Sequence, residues 1–89
     1  MKKIRYNSLK SGWLKLTRGV SFEEILQAKL IHITKSQQKK NQRIFLFVYN
    51  NYVWAVPFVK NGDEIFLKTL YPSRKYTKIY LRRIEHEKN

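Results

Sequence analysis

The segment 43–71, "RIFLFVYNNYVWAVPFVKNGDEIFLKTLY", limits the possible folds more than any other part of the chain. β-Branched and aromatic residues dominate it, and these favour extended backbone. Asn50-Asn51 and Asn61-Gly62 break it twice. Asparagine and glycine tolerate positive φ, and Asn-Gly is the strongest short hairpin signal. Three strands follow. In "IFLFV" and "YVWAV" apolar side chains occupy nearly every position, so the sheet needs cover on both faces. Pro57 has no N–H and belongs at an edge or a bulge of its strand.

The flanking sequence supplies that cover. In "NSLKSGWLKLTRG", Leu9, Trp13 and Leu16 fall at i, i+4 and i+7, one face of a short helix. Asn7 or Ser8 can cap its start, and Gly19 suits the left-handed position after its end. Gly12 in its middle costs about 1 kcal/mol against alanine. "VSFEEILQAK" predicts a second helix from Phe22 to about Ala28. Ser21 and Glu24 form a capping box, and Val20 and Ile25 a hydrophobic staple. "KLIHITK" alternates and reads as a strand over 29–35, with "SQQKKNQ" as a hairpin loop. Pro72 is welcome at a helix start, so "PSRKYTKIYLRRIEHE" predicts a third helix. The expected fold class is α+β: two N-terminal helices, a four-stranded antiparallel meander and a C-terminal helix. At 89 residues this is one small domain over 1–89, with its ordered core at about 8–82. The N-terminal helices cover one face. The C-terminal segment or a partner covers the other.

Nineteen Lys and Arg stand against six Asp and Glu, a formal charge of +13. Such a field attracts polyanions. Nucleic acid comes first, with an acidic membrane surface or an acidic protein as further options. With 43% hydrophobic residues the charge does not signal disorder. No cysteine is present, so no disulfide or cysteine metal site can form. Two histidines, His32 and His86, are too few for a structural zinc site, and no cofactor is expected. No apolar run follows the basic start "MKKIRYNSLK", and no stretch is long enough to span a membrane. A cytoplasmic location is the expectation.

The cations cluster. From Ile65 to Arg83 lie Lys68, Arg74, Lys75, Lys78, Arg82 and Arg83 with no acid; the loop region adds Lys35, Lys39, Lys40 and Arg43. On a helix, Lys75, Lys78 and Arg82 form a stripe at i, i+3 and i+7, suited to tracking a phosphate backbone or to facing water. The candidate RNA-binding residues are therefore Lys75, Arg82, Arg83, Lys39, Lys40 and Arg43. Tyr76 and Tyr80 at i, i+4 either pack on the sheet or stack on bases. Glycine-rich phosphate loops, nucleophile elbows and clustered carboxylates are absent from the sequence. RNA carries its own nucleophile, the 2′-OH. A protein that cleaves it needs to orient the strand, neutralise the phosphate and move two protons. Arg74, Lys68 and Lys78 can do the second task. His32, which strand alternation puts on a face with Leu30 and Thr34, or a tyrosine (Tyr71 or Tyr80) can do the third.

"RGVSFEEI" (18–25) resembles the "HGVSFEEA"-like segment between the first two helices of the BrnT toxin family, with Arg18 at the histidine position. "IFLKTLYPSRKYTKIY" (65–80) sits where that family has its last strand and an "R-x-I-S-A-R-x-A" helix start. The resemblance implies a RelE-like fold, metal-independent RNA cleavage and arrest of translation. It also implies neutralisation by an antitoxin, acidic where it binds, with a ribbon-helix-helix part through which the complex would reach operator DNA. By position, Arg74 matches the arginine of "S-A-R", and Lys68 falls near an earlier strand arginine. The alternative expectation is a basic nucleic-acid-binding module without catalysis.

Overall fold

The computed structural model describes residues 3–81. Its elements are β1 (Lys3–Arg5), α1 (Ser8–Arg18), α2 (Phe22–Ile25), β2 (Lys29–Lys35), β3 (Gln42–Tyr49), β4 (Tyr52–Asn61), β5 (Glu64–Leu67), β6 (Tyr71–Pro72) and α3 (Arg74–Tyr76), which continues as a π-helical turn over Thr77–Leu81. The class is α+β, as expected, but the sheet is larger than the expected four-strand meander. Its order is β1-β5-β4-β3-β2, with β6 also on β4. β1 runs parallel to β5, so the sheet is mixed. β1 carries no apolar run; its backbone and the Arg5–Glu64 ion pair at 3.4 Å hold it instead, which is why hydrophobic pattern missed it.

The β3–β4 hairpin is the frame. Asn50 (φ 52°) and Asn51 (φ 59°) both adopt positive φ, as a two-residue hairpin turn requires. Gly62 (φ 62°) does the same between β4 and β5. Fixed register then sorts the apolar side chains. Phe45, Phe47, Trp54, Val56 and Phe58 face α1 and α2, joined by Leu14, Phe22, Ile25, Ile65 and Leu67. Ile44, Leu46, Val53 and Ala55 face the other way, against Tyr71, Tyr76, Tyr80 and Leu81. Both faces are covered, as the apolar run demands.

The helix boundaries differ from expectation in three places. In α1 the caps are those expected: Asn7 Oδ1 accepts from Leu9 and Lys10 N–H, and Gly19 sits left-handed at φ 82°. The buried face, however, is Ser11 and Leu14, while Leu9, Trp13 and Leu16 point outward with 85%, 53% and 87% of their surface exposed. In α2 the capping box is complete, but the α-helix ends at Ile25. Gln27 and Ala28 bond back three residues instead, a tightening that lets the chain enter β2 at Lys29. The C-terminal helix begins at Arg74 rather than Pro72, which is still strand, and passes into a π-turn. The rest of that expected helix, with Arg82, Arg83 and His86, lies outside the described residues. No helix among the described residues is long and apolar enough to cross a membrane.

Two polar clamps lock these elements. Ser11 Oγ donates to Glu23 Oε2 at 2.6 Å and accepts from Phe22 N–H at 2.9 Å, tying α1 to α2. Ser73 N–H donates to the Val53 carbonyl (2.8 Å), and Val53 N–H donates to Thr77 Oγ1 (2.9 Å). Thr77 Oγ1 in turn donates to the Ser73 carbonyl at 2.6 Å. The C-terminal helix thus completes the hydrogen bonding of β4 where β6 ends.

Thr77→Val keeps the shape and removes the acceptor for Val53. It is expected to lower unfolding free energy by about 1–2 kcal/mol in urea titration, with Thr77→Ser close to wild type. Glu23 gives a pH prediction. The Ser11 hydroxyl, and then its own backbone N–H, hold its carboxyl below the usual range. A depressed folded pKa means that the stabilisation is present above the ordinary carboxylate range and is lost as pH falls through the folded value. Glu23→Gln is expected to melt lower at pH 7 and to show a shallower loss of Tm from about pH 5 downward.

Candidate nucleic-acid groove

From the second face of the sheet, beside the C-terminal helix, to Asn7 and Lys10 at the start of α1 lie two adjoining open depressions of about 430 and 420 Å³. Lys39, Gln42, Pro57 and Thr69 line both, so they read as one groove. Local chemistry explains its walls. The loop after β2 folds because Ser36 Oγ accepts from the N–H groups of Gln38 (3.3 Å) and Lys39 (3.2 Å). That turn brings Lys39 to the rim. Gln42 pairs with Val59, and Ile44 with Pro57, so strand alternation puts Gln42 and Ile44 on one face. The floor opens at Pro57 because β4 changes partner there. β5 pairs with it only from Phe58 on, and β6 only at Trp54 and Ala55. The missing N–H of proline falls at this interruption. Lys68 N–H donates to the Pro57 carbonyl at 2.8 Å and anchors the crossing chain.

From that crossing segment Thr69 and Tyr71 line the groove, while Leu70 between them is fully buried. An Arg18 guanidinium N–H donates to the Leu70 carbonyl and ties the segment to the end of α1. Ser73, Lys75 and Tyr76 close one side; Lys10 and Lys68 extend the other. Among the described residues the lining thus holds Lys10, Lys39, Lys68 and Lys75 and no carboxylate. Burial, and then the neighbouring Tyr76, push the Tyr71 hydroxyl above its ordinary pKa. At neutral pH it is a hydrogen-bond donor. Lys75 Nζ lies 5.5 Å from the Tyr76 ring centroid, and Lys68 Nζ 5.5 Å from that of Phe66. Cations over aromatic rings are suited to a strand that offers both phosphate and base.

The sequence candidates divide. Lys39, Lys68 and Lys75 meet in the groove. His32 and Tyr80 meet each other farther along the same face, ring centroids 5.5 Å apart, with Tyr76 6.1 Å from Tyr80. Arg74 and Lys78 are exposed, and neither they nor Lys40 lines the groove. Arg43 pairs with Phe58, which packs under α1 and α2, so it lies on the opposite face from the groove. The expected face of His32 also changes. A bulge between Leu30 and His32 leaves His32 with Thr34 but turns Leu30 to the other face, opposite Phe47. Of the expected stripe of Lys75, Lys78 and Arg82, Lys75 stands on α3 and Lys78 on the π-turn. A π-turn has more residues per turn than an α-helix, and Arg82 lies outside the described residues. Gln42, Thr69 and Lys10 were missed. Strand alternation carries the signal for Gln42; nothing local marks the other two. Among the described residues no group of three His, Asp or Glu could hold a metal ion.

No family model matches the chain, and no curated protein matches it. Among solved structures it superimposes on the Brucella abortus ribonuclease toxin BrnT with a TM-score of 0.54 and 19% identity, covering 82% of this chain and 97% of that one. The chain has the BrnT fold.

If lysines of the groove hold phosphates, removing one reduces the salt dependence of oligonucleotide binding. Lys39→Ala and Lys75→Ala are each expected to lower the slope of log K against log salt by about 0.7 on a single strand. Arg43→Ala, on the other face, leaves that slope unchanged. Fluorescence anisotropy across a salt series measures this.

Proposed function

We propose that the chain is the toxin of a toxin–antitoxin pair and that it cleaves RNA at this groove. The observation that carries the reading is a carboxylate-free groove of Lys39, Lys68 and Lys75 around Tyr71, on a fold shared with a ribonuclease toxin. The substrate's 2′-oxygen attacks the adjacent phosphorus, a P–O bond forms, and the bond to the 5′-oxygen breaks, leaving a 2′,3′-cyclic phosphate. Lys39 and Lys75 neutralise the pentavalent phosphate, and Lys68 positions the strand. The Tyr71 hydroxyl, kept protonated by burial, gives its proton to the departing 5′-oxygen. The 2′-OH proton passes to a base on the same face; His32, packed on Tyr80 farther along that face, is the imidazole a bound strand would have to reach. Arg74 and Lys78, exposed on the helix, hold flanking phosphates. Loss of messenger RNA stops translation in the cytoplasm, and an acidic antitoxin, with a ribbon-helix-helix part for operator DNA, neutralises the chain.

A second reading, a nucleic-acid-binding module that does not cut, is favoured by one observation: among the described residues no histidine lines the groove. Expression of the chain alone separates the two. The ribonuclease is expected to arrest growth and fragment RNA, leaving cyclic phosphate ends. Tyr71→Phe is expected to slow cleavage at least about 100-fold while RNA binding stays near wild type. Intact RNA at full soluble expression, together with salt-sensitive binding, establishes the second reading.

A further inference from the structure

Helix α1 is apolar on two opposite sides. Its inner side, Ser11 and Leu14, meets the core. Its outer side presents Leu9, Trp13 and Leu16, largely exposed, over two turns. Three large apolar side chains aligned on one surface helix form a patch of a few hundred Å², the kind that marks an interaction site. Gly12 lies within the same stripe, one position before Trp13. A Cβ built there meets nothing within 4 Å, and its φ is ordinary for a helix. Neither packing nor backbone geometry inside the chain requires a glycine there, although it weakens α1 by about 1 kcal/mol. A glycine among large side chains on an outer face lets another backbone approach closely.

We propose that this stripe is the docking site for an amphipathic helix of an acidic partner protein, its apolar anchors spaced at i, i+3 or i+4 and i+7, with Gly12 at the helix crossing. Charge selects this occupant. A second copy of the chain brings another +13 to the interface. A membrane surface gains nothing from the gap at Gly12, where nothing lies within 4 Å of a built Cβ, whereas the backbone of a crossing helix can enter it. Of the carboxylates near α1, Glu24 is paired with Lys15 and Glu23 accepts from Ser11. Lys10, three residues before Trp13, rims the stripe and also lines the groove. A helix seated on α1 therefore brings its acidic residues to the mouth of the groove. This deepens the toxin reading by giving the antitoxin a place to bind, and it rests on that reading only for the name of the partner.

The test is co-expression with the products of the adjoining reading frames, followed by measured dissociation of the purified complex. Gly12→Leu removes a helix-weakening residue and so folds at least as well, yet fills the crossing point. It is expected to weaken the complex at least 10-fold, as is Trp13→Ala, while Gly12→Ala has a smaller effect. RNA binding by each free variant stays within twofold of wild type. Wild-type affinity in Gly12→Leu and Trp13→Ala, or no complex with either acidic product, overturns the proposal. So does a dimer of the chain alone, seen by sedimentation and lost in Gly12→Leu, or binding to phosphatidylserine vesicles lost in Trp13→Ala. Failure of the free chain to cut RNA sinks the ribonuclease reading without touching this one.

Discussion

The antiparallel register of β3 on β4 is the constraint from which the rest of the structure follows. Two asparagines at positive φ fix it, and a one-residue slip would exchange every apolar side chain between faces. With both faces apolar, slippage would not expose a polar face to the core. It would instead mismatch two differently shaped surfaces. The first face carries aromatics, with Phe45 and Phe58 stacked at 3.9 Å, and suits the ridges of α1 and α2. The second carries the smaller Val53 and Ala55, which leave room for the tyrosines of the C-terminal helix. Side-chain size, not polarity, distinguishes the two sides.

That asymmetry builds the groove. The docking of the C-terminal helix is set by Ser73 and Thr77 on the backbone of Val53. Anchored there, it stands beside Pro57, where the ladder on one side of β4 is interrupted between β6 at Ala55 and β5 at Phe58. Around that interruption stand side chains of the loop and of the crossing segment 68–71. Groove and helix dock are two results of one interruption in the ladder. A change at Pro57 or Thr77 therefore acts on the groove through the backbone, without touching an RNA-facing side chain.

Much of this was legible in the sequence. The hairpin turns, β2, the caps of α1 and the box of α2 depend on local chemistry, and each stands where its residues put it. The signals failed where the deciding contact is distant. β1 is held by backbone pairing to β5, some sixty positions away, and has no apolar pattern of its own. Helical spacing found the stripe Leu9–Trp13–Leu16 but could not say which side of α1 faces the core; Ser11, bonded to Glu23, decides that. The bulge at Leu30/His32 reverses a parity that strand alternation alone takes as fixed. For the site, charge singled out Lys39, Lys68 and Lys75, which the fold brings to one groove. It could not separate them from Arg43, because only register tells which face a strand cation occupies.

The composition of the groove also bears on selectivity. Its cations are all lysines, point charges without the planar fork that arginine offers to a base edge or a bidentate phosphate. Tyrosine rings accept any base face, and Gln42 and Thr69 are the uncharged hydrogen-bonding groups deepest along the shared wall. A groove of this kind fixes where the backbone lies more firmly than which base lies in it. If a strand lies in the groove, Gln42 and Thr69, which line both depressions, are among the groups whose donors and acceptors could distinguish one base edge from another.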